Sequence, residues 1–437
     1  MKIALVRVNY NSKYVVPPLG LGYLASYAEK FGHEVLIIDA LRDNYSNEKV
    51  VNIINSENIS VVGITCLSIF YDEVVDLSKK LKKERKKIFI GGIHPTFNPR
   101  QTLIDTGADY VSTGEGEIAL RKLLDANFDG EGIQGIYSLE NLPENPVKGE
   151  IVSNLDDLPF PDWEQISPKR YPSLTNGEIF RNYPVGIITT SRGCPFSCNF
   201  CVSPAFYDRK IRFRSPENVV GEIEYLVKKF GVKEIHFEDD NFTLKREHAY
   251  EICRLIIEKG LKIDFTCPNG IRSENVDIEL MKIMKKSGCY CISYGIESAN
   301  PEILKNINKN ESLDDIKKSI ELAEKCGILT KGFFIFGLEG ETKQTVENTI
   351  NYALNSKLTF AEFSVWNPAY AGKNIENNSD KKEDFLTEKY LKIMKIKAVL
   401  RFYLRFEVLF KIFKSVLIIK LLSFLRKNFR VGKFSIL

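Results

Sequence analysis

Two long stretches of the chain repeat one pattern: a short apolar run, an amphipathic segment of helical period, then another apolar run. The first stretch begins at "KIALVRV" and continues through "EVLIID", "SVVGIT", "KIFIGG" and "ADYVST". Between these runs, "LGLGYLASYAEKFG" reads as a helix closed by Gly32, and further helices are expected near 47–57 and 70–84. Strands that alternate with helices build parallel sheets covered on both faces, and unbroken runs such as "VLII" suit strands buried on both sides. Residues 1–130 are therefore expected to form a Rossmann-like doubly wound parallel sheet. The pattern restarts over 185–370 with "VGIITT", "EIHFED", "IDFTC", "CYCISYGI", "KGFFIFG" and "FAEFSV". Six such units in succession predict a partial TIM-like (β/α)6 barrel, with its chemistry at the C-terminal ends of the strands.

The remaining pieces lack that alternation. Residues 131–184 have poor periodicity and many prolines, among them Pro143, Pro146, Pro159, Pro161, Pro168 and Pro172, and read as a linker. Residues 371–437 interleave large apolar residues with cations and read as a basic, amphipathic helical region. From Lys389 onward there are thirteen lysines and arginines against one acid, Glu407, a net +12 in a chain of net +4, so the 388 residues before it carry −8. A mildly acidic body with a strongly basic tail suits an anionic partner. No uncharged apolar run in the tail reaches the roughly 18 residues of a spanning helix.

"TSRGCPFSCNFCVSP" (190–204) follows directly on the first strand of the second stretch. It places Cys194, Cys198 and Cys201 at i, i+4 and i+7, and the proline, glycine and serines around them argue for a loop. A tetrahedral zinc site normally takes four protein ligands, or three and a water. A cubane [4Fe–4S] cluster takes one ligand per iron, so three thiolates leave one iron open. The other six cysteines form no compact motif. Nine in all are too few and too irregular for a secreted disulfide framework, and the N-terminus lacks a signal-peptide pattern, so a cytoplasmic setting is expected.

A CxxxCxxC loop after the first strand of a βα barrel resembles the radical S-adenosylmethionine (SAM) enzymes. The resemblance implies a [4Fe–4S] cluster held by Cys194, Cys198 and Cys201. It also implies SAM on the open iron, and a 5′-deoxyadenosyl radical released when an electron cleaves the sulfonium. It places Phe200 near the adenine. "SYGIESAN" (293–300) resembles the strand segment that meets the SAM amino group or ribose, giving Glu297 and Gly295 as candidates. "GFFIFGLEGET" (332–342) resembles a segment near the adenine that ends in a tight turn, with Gly337 and Gly340 allowing close backbone approach. Arg272, in "CPNGIR", is a candidate for the SAM carboxylate. Asp239, in "FEDDNFT" (237–243), is a candidate for a SAM, proton or substrate contact, with helix capping as the alternative.

The sheet before the barrel is similar to the cobalamin-binding domain of the class B, B12-dependent branch of that family, so the resemblance spans about residues 1–366. Its signals are "GITCLS", "GGIHPTF" and "GEGE", each after an expected strand. They give Thr65, Gly91, Gly92, His94, Pro95, Gly114 and Glu115 as cobalamin-binding candidates. The DxHxxG signature that supplies a histidine below cobalt elsewhere is absent. The resemblance implies methyl transfer to an unactivated carbon. Cyclisation or rearrangement without methyl transfer is an alternative. A methylthiotransferase fits less well, because that family carries three cysteines in its first domain and here there is only Cys66. A non-enzymatic binding module leaves the cysteine loop without a purpose. Expected partners are a small-molecule or lipid-like substrate and an electron donor such as flavodoxin or ferredoxin. The tail is expected either to make a peripheral membrane contact or to pack on the barrel; a nucleic-acid partner is not expected.

Overall fold

The structure, a computed structural model, describes residues 1–12, 14–172, 180–367, 386–406 and 408–409. Two compact units emerge. The first takes the described residues of Met1–Thr175 together with Ala205–Arg214, and the second takes those of Asn176–Pro204, Ser215–Asn367 and Glu376–Leu437.

In the first unit the strands are β1 (Lys2–Arg7), β2 (Glu34–Asp39), β3 (Val61–Thr65), β4 (Lys87–Gly91), β5 (Tyr110–Ser112) and β6 (Ile136–Tyr137). They lie in the order β2-β1-β3-β4-β5-β6. Neighbours pair in parallel from β2 to β5, and β6 joins antiparallel. Helices α1 (Leu19–Lys30), α2 (Asn47–Ser56), α3 (Tyr71–Lys83), α4 (Pro99–Thr106) and α5 (Glu117–Asp125) connect them. Ile3, Ala4, Leu5 and Val6 of β1 are all essentially buried, as a strand covered on both faces requires. Residues expected as a linker supply β6, the fully buried Trp163, and Tyr171, whose hydroxyl donates to the buried Asp39 at 2.8 Å. Scattered prolines gave that segment no period, yet it packs by individual side chains.

The second unit runs β7 (Val185–Ile188), α6 (Pro216–Phe230), β8 (Glu234–Phe237), α7 (Arg246–Glu258), β9 (Asp264–Ile271), α8 (Ile278–Ser287), β10 (Cys289–Glu297), α9 (Leu313–Lys325), β11 (Leu329–Phe336), α10 (Lys343–Asn355) and β12 (Phe360–Val365). The sheet is wholly parallel and follows chain order, β7-β8-β9-β10-β11-β12. Helix α6 shows why the sequence folds this way locally. Ser215 caps it by accepting from the Asn218 amide, Pro216 opens it, and Gly231 ends it in the left-handed conformation.

A last helix, α11 (Glu388–Tyr403), lies against β12. It buries Leu391, Met394, Ala398, Val399, Phe402 and Tyr403. The Tyr403 hydroxyl donates to the Ala361 carbonyl at 2.9 Å and accepts from the Ala361 amide at 3.1 Å. The start of the basic tail thus packs on the edge strand of the barrel sheet. Residues 410–437, most of that tail, lie outside the described residues.

Candidate functional site

The cysteine loop leaves the C-terminal end of β7 and is held at both ends by the adjacent acids that follow β8. Asp239 is fully buried and accepts from the Thr190 amide (3.0 and 3.1 Å), the Thr190 hydroxyl (2.8 Å) and the Ser191 hydroxyl (2.5 Å). Asp240 accepts from the Ser203 hydroxyl at 2.5 Å. One acid therefore anchors the chain just before Cys194 and the other just after Cys201. The outward contact expected of Asp239 is not what its geometry provides, because both of its oxygens are engaged by the loop.

Arg272 is also turned to the loop. Its guanidinium lies 3.8 Å from the centre of the Phe196 ring and donates to Glu274 and to the carbonyls of Lys309 (3.1 Å) and Asn310 (2.9 Å). These contacts occupy the fork that a ligand carboxylate would need, so Arg272 sits as a floor under the loop. Phe200 of the loop packs against Ile303, Leu304, Ile307 and Leu338. Burial pushes all three loop thiols up, Cys201 to about 12, while Lys309 and Arg272 pull Cys198 back. Among the described residues no three histidine, cysteine or acidic groups converge on a single metal ion. A cubane asks for something different, one thiolate for each of three irons from a common loop, and Cys194, Cys198 and Cys201 are three free cysteines on one loop.

Beside the loop, at the end of β10, lies a charge cluster that the sequence reading only half identified. Glu297 is buried and sits at φ +63°, a left-handed conformation that a glutamate adopts at a cost. The Lys309 ammonium is 3.8 Å from Glu297 Oε1 and 3.3 Å from Glu311 Oε2. Glu311 Oε1 accepts from the amide and hydroxyl of Ser273, both at 2.8 Å, whereas its Oε2 has no hydrogen-bond partner. Gly295 makes the room, since a Cβ there would stand 2.5 Å from Glu297 Oε1 and 3.1 Å from Lys309 Nζ. Burial pushes the Glu297 carboxyl up to about 7; Lys309 pulls it down and Glu311 raises it. Burial pulls the Lys309 ammonium down, but Glu297 and Glu311 outweigh it and the net shift is upward. Lys309 and Glu311 come from the polar turn "NKNES", where no period or motif marks them.

Gly337 and Gly340 both have positive φ, +88° and +82°, in the tight turn after β11. Glu341 accepts from the Gly337 amide, and burial raises its carboxyl to about 7. Its other oxygen is buried and unpartnered. An acid four residues after a turn glycine was the available signal for it.

The first unit gathers its candidates at the C-terminal ends of β3, β4 and β5. Thr65 ends β3, Gly91 ends β4, and Gly92, His94 and Pro95 follow. Gly92 has φ +114°, and a Cβ there would lie 2.7 Å from the Cys66 carbonyl oxygen. The His94 amide donates to that same carbonyl at 3.2 Å. The His94 ring stacks on Tyr71 at 4.0 Å and its Nδ1 meets the Ser68 hydroxyl at 2.9 Å. Burial lowers His94 to about 4, so the imidazole is neutral at pH 7. The Gly114 amide donates to the Thr96 hydroxyl at 2.9 Å, which ties the β5 end to this group. Glu115 is engaged elsewhere, in an ion pair with Arg212 of the same unit.

Two buried polar atoms at these strand ends have no partner, His94 Nε2 and Ser112 Oγ. Orphaned polar atoms beside a bare glycine rim fit a large, flat ligand bearing hydrogen-bonding groups at its edge. The Gly92→Ala variant tests the rim. It should cost about 1–3 kcal/mol through its glycine-only backbone alone, read by thermal unfolding, and it should lower corrin retention on gel filtration.

Residues 188–353 match the Radical SAM superfamily and residues 7–124 match the B12 binding domain. The chain is 33% identical over 422 residues to an uncharacterised methyltransferase of Pyrococcus horikoshii, a match covering 90% of this chain and 89% of that protein. It is 31% identical over 433 residues to an anaerobic magnesium-protoporphyrin IX monomethyl ester cyclase of Cereibacter sphaeroides, covering 92% of this chain and 68% of that one. Among solved structures, a radical SAM methyltransferase of Kitasatospora setae, with cobalamin and a [4Fe–4S] cluster bound, aligns with TM-score 0.68. That alignment has 20% identity and covers 84% of this chain and 74% of that chain.

Proposed function

The chain belongs to the radical SAM enzymes that carry a B12-binding domain, and from that premise we propose that it transfers a methyl group to an unactivated carbon of a small-molecule or lipid-like substrate. The cofactors of such an enzyme are a [4Fe–4S] cluster, SAM and cobalamin. When bound, the cluster supplies the electron that cleaves SAM and the corrin carries the methyl group.

The chain's own residues divide the work. Cys194, Cys198 and Cys201 would hold the cluster, and Asp239 and Asp240 would fix the loop that presents them. The observation that carries the reading is the buried acid–base pair beside that loop. Glu297 and Lys309 stand 3.8 Å apart without a hydrogen bond between them. An α-amino acid group bears one ammonium and one carboxylate, so it would exchange that long pair for two short charge-assisted bonds, the ammonium to Glu297 and the carboxylate to Lys309. Phe200 and its apolar neighbours offer an aromatic shelf, and the Gly337 turn offers bare backbone. Thr65, Gly91, Gly92, His94, Pro95 and Gly114 would seat the corrin, with His94 Nε2 and Ser112 Oγ supplying hydrogen bonds at its rim. An electron donor of the flavodoxin or ferredoxin class would complete the cycle.

A second reading, cyclisation or rearrangement without methyl transfer, is favoured by the cyclase of Cereibacter sphaeroides. Product analysis separates the two. Protein reconstituted anaerobically with iron, sulfide and hydroxocobalamin, then given SAM, a one-electron reductant and candidate substrate, should form 5′-deoxyadenosine and S-adenosylhomocysteine together if it transfers methyl. Formation of 5′-deoxyadenosine with substrate turnover and no S-adenosylhomocysteine would replace methyl transfer by the second reading.

A further inference from the structure

Helix α11 is apolar on both sides. One side is spent on β12 and α10. The other carries Ile393, Ile396, Leu400 and Leu404, which are 54%, 42%, 39% and 72% exposed. Their spacing of three, four and four residues puts them in one row down the helix, opposite Leu391, Met394, Ala398 and Phe402. A helix whose outer side met only water would carry polar residues there. Lys389 stands in the same row, one turn before Ile393, with the exposed Lys392 and Lys397 on its flanks. No acid occurs from Lys389 through Phe406.

Charge decides what covers this row. The chain continues over 410–437 with seven lysines and arginines, no acid, and sixteen apolar residues among twenty-eight. If that segment folded back onto α11, it would add seven cations and no acid to a helix whose own lysines already draw on Glu388 and Glu347. A second copy of the chain would set against this helix another with five lysines and arginines and one acid. An anionic lipid surface meets both demands. It takes the large aliphatic side chains into its interfacial layer and leaves the lysine ammonium groups at the headgroups, where long side chains reach. No described helix is long and apolar enough to cross a membrane, so contact from one side is the geometry that remains for α11.

We propose that the outer row of α11, Ile393, Ile396, Leu400 and Leu404 with Lys389, is a docking surface for an anionic lipid bilayer. This concerns where the enzyme works and stands whether or not its site transfers methyl groups.

Co-sedimentation of full-length holoenzyme with vesicles tests it. The probes are vesicles of phosphatidylcholine alone and of phosphatidylcholine with phosphatidylserine. The variants are Ile396→Asp with Leu400→Asp, and Lys389→Glu. Both change exposed positions, and retained iron, corrin and circular dichroism report that the fold is intact. The wild type should pellet with the phosphatidylserine vesicles, far less with phosphatidylcholine alone, and less as salt rises. The double variant should lose on the order of tenfold or more in vesicle partitioning, since two exposed aliphatic side chains that would enter the interfacial layer become charges. Three results would overturn the proposal: equal pelleting of wild type and double variant, no pelleting of wild type at low salt, or a wild-type dimer that the double variant abolishes in the absence of lipid.

Discussion

The Cys198→Ala variant should form no 5′-deoxyadenosine above background, hold little iron and sulfide after reconstitution, and still retain corrin. The two losses are separable from the retained corrin because the cysteine loop lies in the second unit and the corrin candidates in the first. Cys194→Ala and Cys201→Ala should behave alike, since each removes the thiolate of one iron. Iron content, the visible charge-transfer band and SAM cleavage are the measurements. Unchanged cleavage in any of the three variants would refute the assignment of the loop. The acids that hold the loop predict a graded version. The Asp239→Asn variant keeps the size of the group but weakens four acceptances, and roughly a 10–100-fold loss of activity with partial cluster content is the expected scale for a partner one step behind a metal ligand.

The second large effect is at Lys309. A Lys309→Met variant leaves Glu297 and Glu311 facing each other in a buried site with no cation between them. Breaking a buried charge network from one side costs about 3–5 kcal/mol, so the barrel unit should unfold at lower temperature or denaturant. SAM affinity should fall with it, and Lys309→Arg should recover most of the stability. The sign of the pH dependence follows from Glu297. Its folded value, about 7, lies above the ordinary 4.5. Below 4.5 the carboxyl is protonated in both folded and unfolded protein and costs nothing. As pH rises from there through about 7, the unfolded chain ionises first and stability is lost. SAM binding should move the other way, because an incoming ammonium needs the ionised carboxylate. Affinity should therefore strengthen as pH rises through about 7, and flat affinity from pH 6 to 8.5 would remove Glu297 from that role. Isothermal titration with SAM at several pH values reads both.

Much of this was legible in the chain because it is local. Strand periods mark the parallel strands of both sheets but not β6, which fell in the segment read as a linker, and the cysteine spacing marks the loop. What escaped depends on distant partners. Asp239 was visible as an acid at a strand end, but not that its oxygens would turn back to Thr190 and Ser191, some fifty residues earlier. Glu115 sits in a quoted glycine-rich turn, and its partner Arg212 lies 97 residues on. Lys309 and Glu311 belong to a polar turn that reads as solvent-exposed until Ser273 is seen donating to Glu311. Helix α11 was expected as a helix, and packing on the barrel was one of its two expected outcomes; but both its faces are apolar, so periodicity could not say which one meets the barrel.

The Tyr403 hydroxyl has a wider consequence. A parallel sheet that does not close into a full barrel ends in a strand whose outward amide and carbonyl groups invite another chain to add to it. By accepting from one of these groups and donating to the other at Ala361, a single phenol imitates the neighbouring strand that is missing. Tyr403 thereby acts against aggregation as well as for packing. A Tyr403→Phe variant, with its ring still seated, would show its lesion as protein lost to association at high concentration.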